Sequence, residues 1–189
     1  RLARDTQATS AMEFVIVAPV VFALIIATFE LVLVFLAQAA LETACEGSAR
    51  YVLTGQAQTN FKGVYDNNGN LVTTPQQQFN TYICSQLAPF MGCGLLFADV
   101  NSGSSYTTVN VAEPPFYMDT NGNVTNTFNY VPGSQGQIVT VRLFYLWPTF
   151  SIFGFNLSDK IYNNVNTTTV QTTNYNILIA TSVAKTEGY

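Results

Sequence analysis

The chain has 189 residues, 48% of them hydrophobic and only 10% charged, with a formal net charge of −4. That length suits one compact domain plus an anchor and leaves no room for two ordinary domains and an anchor. The 7 basic residues are scattered, which excludes a phosphate-tracking surface and hence a nucleic-acid partner; histidine is absent, which removes the commonest general base and the commonest metal ligand, so neither cofactor nor metal is expected.

Asn, Thr, Gln and Ser replace the missing charge, above all in 101–130 and 156–176. From Phe14 to Leu41 the only charged residue is Glu30. A helix of that length exceeds the roughly 30 Å hydrocarbon core, so it spans a bilayer with tilt or projects beyond it. A buried core helix is the first competitor, but such helices are usually nearer 10–14 apolar residues. A secretory signal peptide is the second, and it fits badly, because the apolar run is too long and Glu13 and Glu30 lie beside or within it. Arg1 and Arg4 precede the run and the next basic residue is Arg50, so the N-terminus stays cytoplasmic and the remainder crosses. Pro19 is expected to kink the segment.

The helix is expected to continue through 37–52, with Leu36, Ala40, Ala44 and Ala49 as an apolar stripe and Gln38, Glu42 and Glu46 on the wet side. Thr54-Gly55 is the expected stop. This divides the chain into a leader and spine helix, 1–55, and a head, 56–189. Glu13 has two readings: an interfacial carboxylate favoured by the helix dipole, or one half of an inter-subunit ion pair. Glu30, near the far membrane face, has the same two.

In an exported head, Cys84 and Cys93 bracket a short loop and are expected to pair, while Cys45 on the helix is left over, read as a buried free thiol with an inter-chain disulfide as the alternative. A zinc cage is disfavoured by three Cys, no His and no Cys-x-x-Cys spacing. Pro75 opens a helical stretch in which Phe79, Tyr82, Ile83, Leu87 and Phe90 or Met91 recur at three and four residues, stopped by Gly92-Cys93-Gly94. Strands are expected at 95–100, 106–111, 137–147 and 174–183, the last with Tyr175, Ile177, Ile179 and Thr181 on one face. Together they make an antiparallel sheet packed on the spine, an α+β fold.

Asp66-Asn-Asn-Gly-Asn70 and Asp119-Thr-Asn-Gly-Asn123 echo one another. Both are read as hairpin turns; calcium is the alternative, but Leu71 and Val124 stand where an EF-hand loop has its glycine. Asn123-Val-Thr125, Asn156-Leu-Ser158 and Asn166-Thr-Thr168 match the glycosylation acceptor pattern on an Asn- and Thr-rich surface, with sugar attachment left open. Phe150–Phe155 with Trp147 and Leu157 forms an apolar loop, read as a lid over the core or as a subunit or membrane contact.

The segment Ala8-Thr-Ser-Ala-Met-Glu13-Phe14-Val-Ile-Val-Ala18-Pro19, with Glu30, resembles the start of TadE-like pseudopilins of the Tad (Flp, type IVc) pilus system. The resemblance returns in Ala39–Ala44, Ala49-Arg50-Tyr51 with Thr54-Gly55-Gln56, Cys84 through Cys93, Val139–Arg142 with Tyr145 and Pro148, and Thr186–Tyr189. It implies a pilin-like minor pilin or pilus-assembly subunit: a long transmembrane spine in the cytoplasmic membrane, N-terminus in, with an antiparallel sheet head outside. It also implies that Glu13 compensates a charge on a neighbouring subunit. With Glu13 as the fifth residue after a peptidase cut, Ala8 precedes the cut where the family usually has Gly. Either the chain is unprocessed or it works with its basic leader in place, and Arg1 or Arg4 of a neighbour then becomes the partner of Glu13.

Three functions follow. The first is a structural assembly subunit whose partners are the bilayer and other pilin-like subunits, copies of itself included. The second is an accessory subunit anchored beside another membrane complex. The third, a tethered hydrolase, lacks a Gly-x-Ser-x-Gly elbow and a histidine base, and Asp99, Glu113 and Asp119 sit in unrelated contexts.

Overall fold

Thr6–Leu53 form one α-helix of 48 residues, α1, with Pro19 inside it. The computed structural model describes residues 6–109, 116–119, 121–149, 161–162, 170–171 and 175–188, with side chains from Met12 onward except at 162, 170 and 171. The chain divides into two compact units, Arg1–Ala37 and Gln38–Tyr189. The first consists, in its described residues, of the N-terminal part of α1. The second starts within the helix rather than at residue 56, because residues 38–53 bury side chains in the head.

In that second unit the buried positions of α1 are Leu41, Ala44, Cys45, Ser48, Ala49 and Val52. They recur at three and four residues, which turns one side of the helix inward. The expected stripe is therefore displaced: Leu36 is exposed and Ala40 half-buried. Two small residues, Ala44 and Ser48, let the helix lie close, and Ser48 returns its hydroxyl to the Cys45 carbonyl at 2.9 Å. Gly55, at φ 75°, takes the left-handed conformation that ends the helix without a Cβ clash.

A short helix, α2 (Gln56–Asn60), leads to a two-stranded hairpin, β1 (Val64–Tyr65) with β2 (Leu71–Thr73). Helix α3 (Pro75–Gln86) opens on a complete capping box, in which Thr74 and Gln77 satisfy each other's backbone N–H, with Pro75 in the first turn. It stops earlier than expected. Leu87 is extended (ψ 154°) and Pro89 cannot continue the ladder, so the glycines at 92 and 94 are not what ends it. A 3-10 turn, Cys93–Leu95, then delivers the chain into β3 (Leu96–Gly103).

β4 (Ile138–Pro148) is the centre of a three-stranded antiparallel sheet, between β3 and β7 (Tyr175–Lys185). Phe97 pairs with Phe144 and Asp99 with Arg142, while Phe144 also faces Ile179 and Arg142 faces Thr181. β4 is buried at every position from Ile138 to Leu146, so both faces of the sheet are covered. The α1 side takes Val141, Leu143 and Tyr145. The other side takes Phe144 and Leu146, which join Phe116, Met118 and Ile161 in an apolar cluster flanked by Phe97, Phe128, Ile177 and Ile179. Ile161 belongs to a second small hairpin, β5 (Ile161–Tyr162) with β6 (Val170–Gln171). Rings of Phe97, Phe116, Phe128 and Phe144 meet at 5.4–6.1 Å centroid distances, edge-on or tilted for most pairs.

No strand forms at 106–109. Tyr106, Thr107 and Thr108 make a turn held by Thr108 Oγ1 on the Ser105 carbonyl at 2.7 Å, because the Ser/Thr hydroxyls here offer the backbone a local alternative to a ladder. Both Asp-x-Asn-Gly-Asn segments are turns with the same geometry. Asp66 Oδ1 accepts from the N–H of Asn68 and Asn70, and Asp119 Oδ1 from those of Asn121 and Asn123, all at 2.8–2.9 Å. Each closes as a three-residue loop, not a two-residue Asn-Gly turn, with the glycine left-handed (Gly69 φ 81°, Gly122 φ 82°). The loop at 150–157, Glu113 and the acceptor patterns at 156 and 166 lie outside the described residues.

Candidate assembly helix and its supporting head

Between Met12 and Leu36 the large apolar side chains of α1 stand in the open: Phe14 is 68% exposed, Ile16 69% and Phe35 74%. This run is rich in Val, Ile and Phe, which lose rotamer freedom in a helix and confer little helical preference in water. In hydrocarbon the balance reverses, since a helix satisfies every backbone group internally while its side chains face lipid or another helix. Among the described residues one helix is long and apolar enough to cross a membrane, and it lies near the N-terminus.

Glu13 is exposed on this helix, Pro19 lies within it, and Glu30 is half-buried. Glu13 and Glu30 are not brought together. At 1.5 Å per residue, seventeen residues separate them by about 26 Å along the axis, close to the thickness of a hydrocarbon core, and they stand roughly 100° apart around it. Pro19 has no N–H to donate, which leaves the Val15 carbonyl without its helical partner. Thr28 Oγ1 returns to the Ile25 carbonyl at 2.8 Å, a polar residue satisfied inside its own helix. Arg1 and Arg4 lie outside the described residues.

The head is stapled by a disulfide between Cys84 of α3 and Cys93 of the 3-10 turn, with Cα atoms 5.5 Å apart. Next to it, the Gly92 N–H donates to Tyr145 Oη at 2.8 Å, which ties the staple to the central strand; burial pushes the Tyr145 hydroxyl above its usual range. Cys45 is a free, buried thiol that donates to the Val141 carbonyl at 3.5 Å. The C-terminus closes the head. Thr186 Oγ1 reaches the Ser134 and Gln137 carbonyls, and the Glu187 N–H donates to the Leu53 carbonyl, locking the last turn of α1 to the end of β7.

One feature of the head was missed by sequence reasoning. Arg142, buried in β4, bonds Asp99 of β3 through Nη2 at 2.5 Å and Nε at 3.2 Å, and both side chains are about 95% buried. Asp99 also accepts from the Asn129 N–H at 2.8 Å and from Asn101 Nδ2 at 2.7 Å. The signal was present: each of two neighbouring apolar strands carries a single charge, and the two are of opposite sign. Among the described residues no group of three or more His, Cys, Asp or Glu is placed to hold a metal.

A family model described as TadE-like protein matches residues 8–50. No curated protein matches the chain. No solved structure matches it either. The match covers the apolar stretch with Glu13, Pro19 and Glu30 and the helix beyond it as far as Arg50, so the N-terminal helix of this chain is similar to that of TadE-like proteins, and its long apolar helix with antiparallel sheets is an α+β architecture consistent with a pilin-like fold.

Proposed function

We propose that the chain is a non-enzymatic subunit associated with the Tad pilus, a minor pilin that inserts α1 into the cytoplasmic membrane and carries its head outside. The observation that supports this most is the coincidence of the TadE-like match with a helix whose apolar side chains are exposed from Met12 to Leu36. An exposed surface of that extent needs lipid or other helices around it. The disulfide of the head fits an oxidising compartment. In this reading the exposed apolar stretch from Phe14 to Leu36 is lipid-embedded, a shorter span than the run to Leu41 suggests, because the helix from Gln38 onward packs in the head.

Glu13 acts as the registering carboxylate. A charge at the head of a lipid-facing helix is costly unless it is met, and a cation of a neighbouring subunit, such as the partner's leader, supplies the match. Glu30 and Pro19 shape a different side of the same helix. Replacing Glu13 by Ala should abolish assembly while membrane insertion persists. Surface fibres sheared from cells and blotted for the chain provide the readout. If the chain never appears in sheared fibres and stays wholly with the membrane fraction, it is an accessory subunit of another complex. Normal assembly by Glu13→Ala would leave the carboxylate only its interfacial role at the helix dipole.

A further inference from the structure

The two edges of the central sheet are treated differently. Beyond β3, the segment around Tyr130 adds a parallel bridge: the Val100 N–H donates to the Asn129 carbonyl and the Val131 N–H to the Val100 carbonyl, both at 2.8 Å. That edge is covered at Val100. No described strand pairs with the outer edge of β7. The Thr186 N–H donates inward to the Gln137 carbonyl, and the register then alternates, so the even-numbered residues of β7 bond to β4 and the odd-numbered ones face outward. At Ile179 the outward carbonyl is taken by Gln38 Nε2 at 2.9 Å. Further along, Thr181, Val183 and Lys185 turn their backbone groups to an exposed edge, with Val183 40% exposed.

A groove of about 250 Å³ runs along this stretch, between β7 at Ala180, Thr181 and Ser182 and α1 at Glu42, Cys45 and Glu46. Its floor is buried and neutral, and its α1 wall is acidic. Glu42 and Glu46 are exposed and one helical turn apart, so their like charges repel in the absence of a cation, and Glu42 Oε1 accepts from the neutral amide of Gln38 at 2.8 Å. Among the described residues the ion pair found is Asp99–Arg142, so neither glutamate has an internal counter-charge in this set.

We propose that the β7 edge receives an extended segment of another protein, added as a fourth strand, with a Lys or Arg side chain directed at Glu42 and Glu46. Main-chain bonds to Thr181 and Val183 supply binding, and the acidic wall supplies selection. A second copy of this chain fits less well as the occupant. Its own edge offers Lys185 alone, and Lys185 pairs with Ile138, on the face shared with Phe144 and Leu146, away from α1.

The test uses the full chain in detergent and a labelled peptide of seven alternating valines and threonines with a central lysine, compared with the same peptide carrying glutamate there. Fluorescence anisotropy should show the lysine peptide binding at least tenfold more tightly. Amide exchange should slow at Thr181 and Val183 on binding. Glu42→Lys combined with Glu46→Lys, both on the exposed side of the helix, should erase or invert the preference. Val183→Pro, which removes an outward N–H and leaves the β4 ladder intact, should weaken both peptides. Absence of binding, equal affinity for the two peptides, or protection that falls outside β7 overturns the proposal. So does a dimer of the unmodified protein in sedimentation that Val183→Pro dissociates, since the occupant is then a second copy.

Discussion

Replacing Asp99 by Ala should be among the most damaging single changes in the head. Asp99 is 4% exposed and Arg142 5%, and the substitution withdraws the carboxylate from two charge-assisted bonds to Arg142, together with its bonds to the Asn129 N–H and Asn101. Breaking a buried pair by removing one partner costs about 3–5 kcal/mol, because the remaining charge was desolvated in exchange for that contact. Set against a whole-domain stability of about 5–15 kcal/mol, this is a large fraction. With a urea m-value near 2 kcal/mol/M, the midpoint should fall by about 2 M. The assay is urea unfolding of the disulfide-intact chain in detergent, followed by the fluorescence of Trp147, the sole tryptophan, which lies at the end of β4. Arg142→Leu should be similarly harmful. Combining Asp99→Leu with Arg142→Leu should cost at least about 2 kcal/mol less than the sum of the two single changes, since an apolar replacement leaves no charge stranded. A loss under about 1 kcal/mol for Asp99→Ala, or strict additivity in the double variant, refutes the reasoning.

Replacing Cys84 and Cys93 by Ser should lower stability by about 2–3 kcal/mol, from the chain entropy released by a cross-link of sequence separation 9, read by the same unfolding titration. Tyr145→Phe should cost about 1 kcal/mol by leaving the Gly92 N–H without its acceptor, and should leave the disulfide formed, as free-thiol titration will show. The Asp66 carboxyl is held below its ordinary 3.8 by the backbone N–H of Asn70 and then its side-chain amide, and that of Asp119 by the side-chain amide of Asn123 and then its backbone N–H. A carboxyl lowered in the folded state contributes stability that is present above the unfolded value and lost as pH falls through the folded one. Carbon-detected NMR titration should therefore find both midpoints below 3.8, and Asn70→Ala should move that of Asp66 upward.

The periodic and apolar parts of the chain were legible. A run from Phe14 to Leu41 broken only by Glu30 specifies a membrane-length helix, and the alternating residues at 137–147 and 174–183 specify β4 and β7 to within two residues. The inward side of α1 was legible in part: Ala44 and Ala49 are buried and Glu42 and Glu46 exposed as their spacing implies, but Leu36 is exposed and Leu41, Cys45 and Val52 carry the rest of the buried face, because the apolar run before Gln38 offers no polar contrast to fix where the stripe begins. The end of α3 was obscured because Phe90 and Met91 continue the apolar spacing past Pro89, whose ring stops the helix regardless. At Thr74 the Thr-x-x-Gln capping box was readable and overlooked. Tyr106–Val111 is a short run rich in Tyr, Thr and Val that reads as a strand, yet Ser105 and Thr108 satisfy the backbone locally. Asp99–Arg142 depends on a register that pairing alone establishes, so no local window contains it.

Topology is the most direct test of the account. A single cysteine introduced by Asn67→Cys, in the exposed hairpin turn, should react with a membrane-impermeant maleimide in intact cells whose outer envelope has been permeabilised, while buried Cys45 stays unlabelled and the chain resists carbonate extraction. Labelling of that position only after the inner membrane is broken, or release of the chain by carbonate, contradicts a membrane-spanning helix with an exported head.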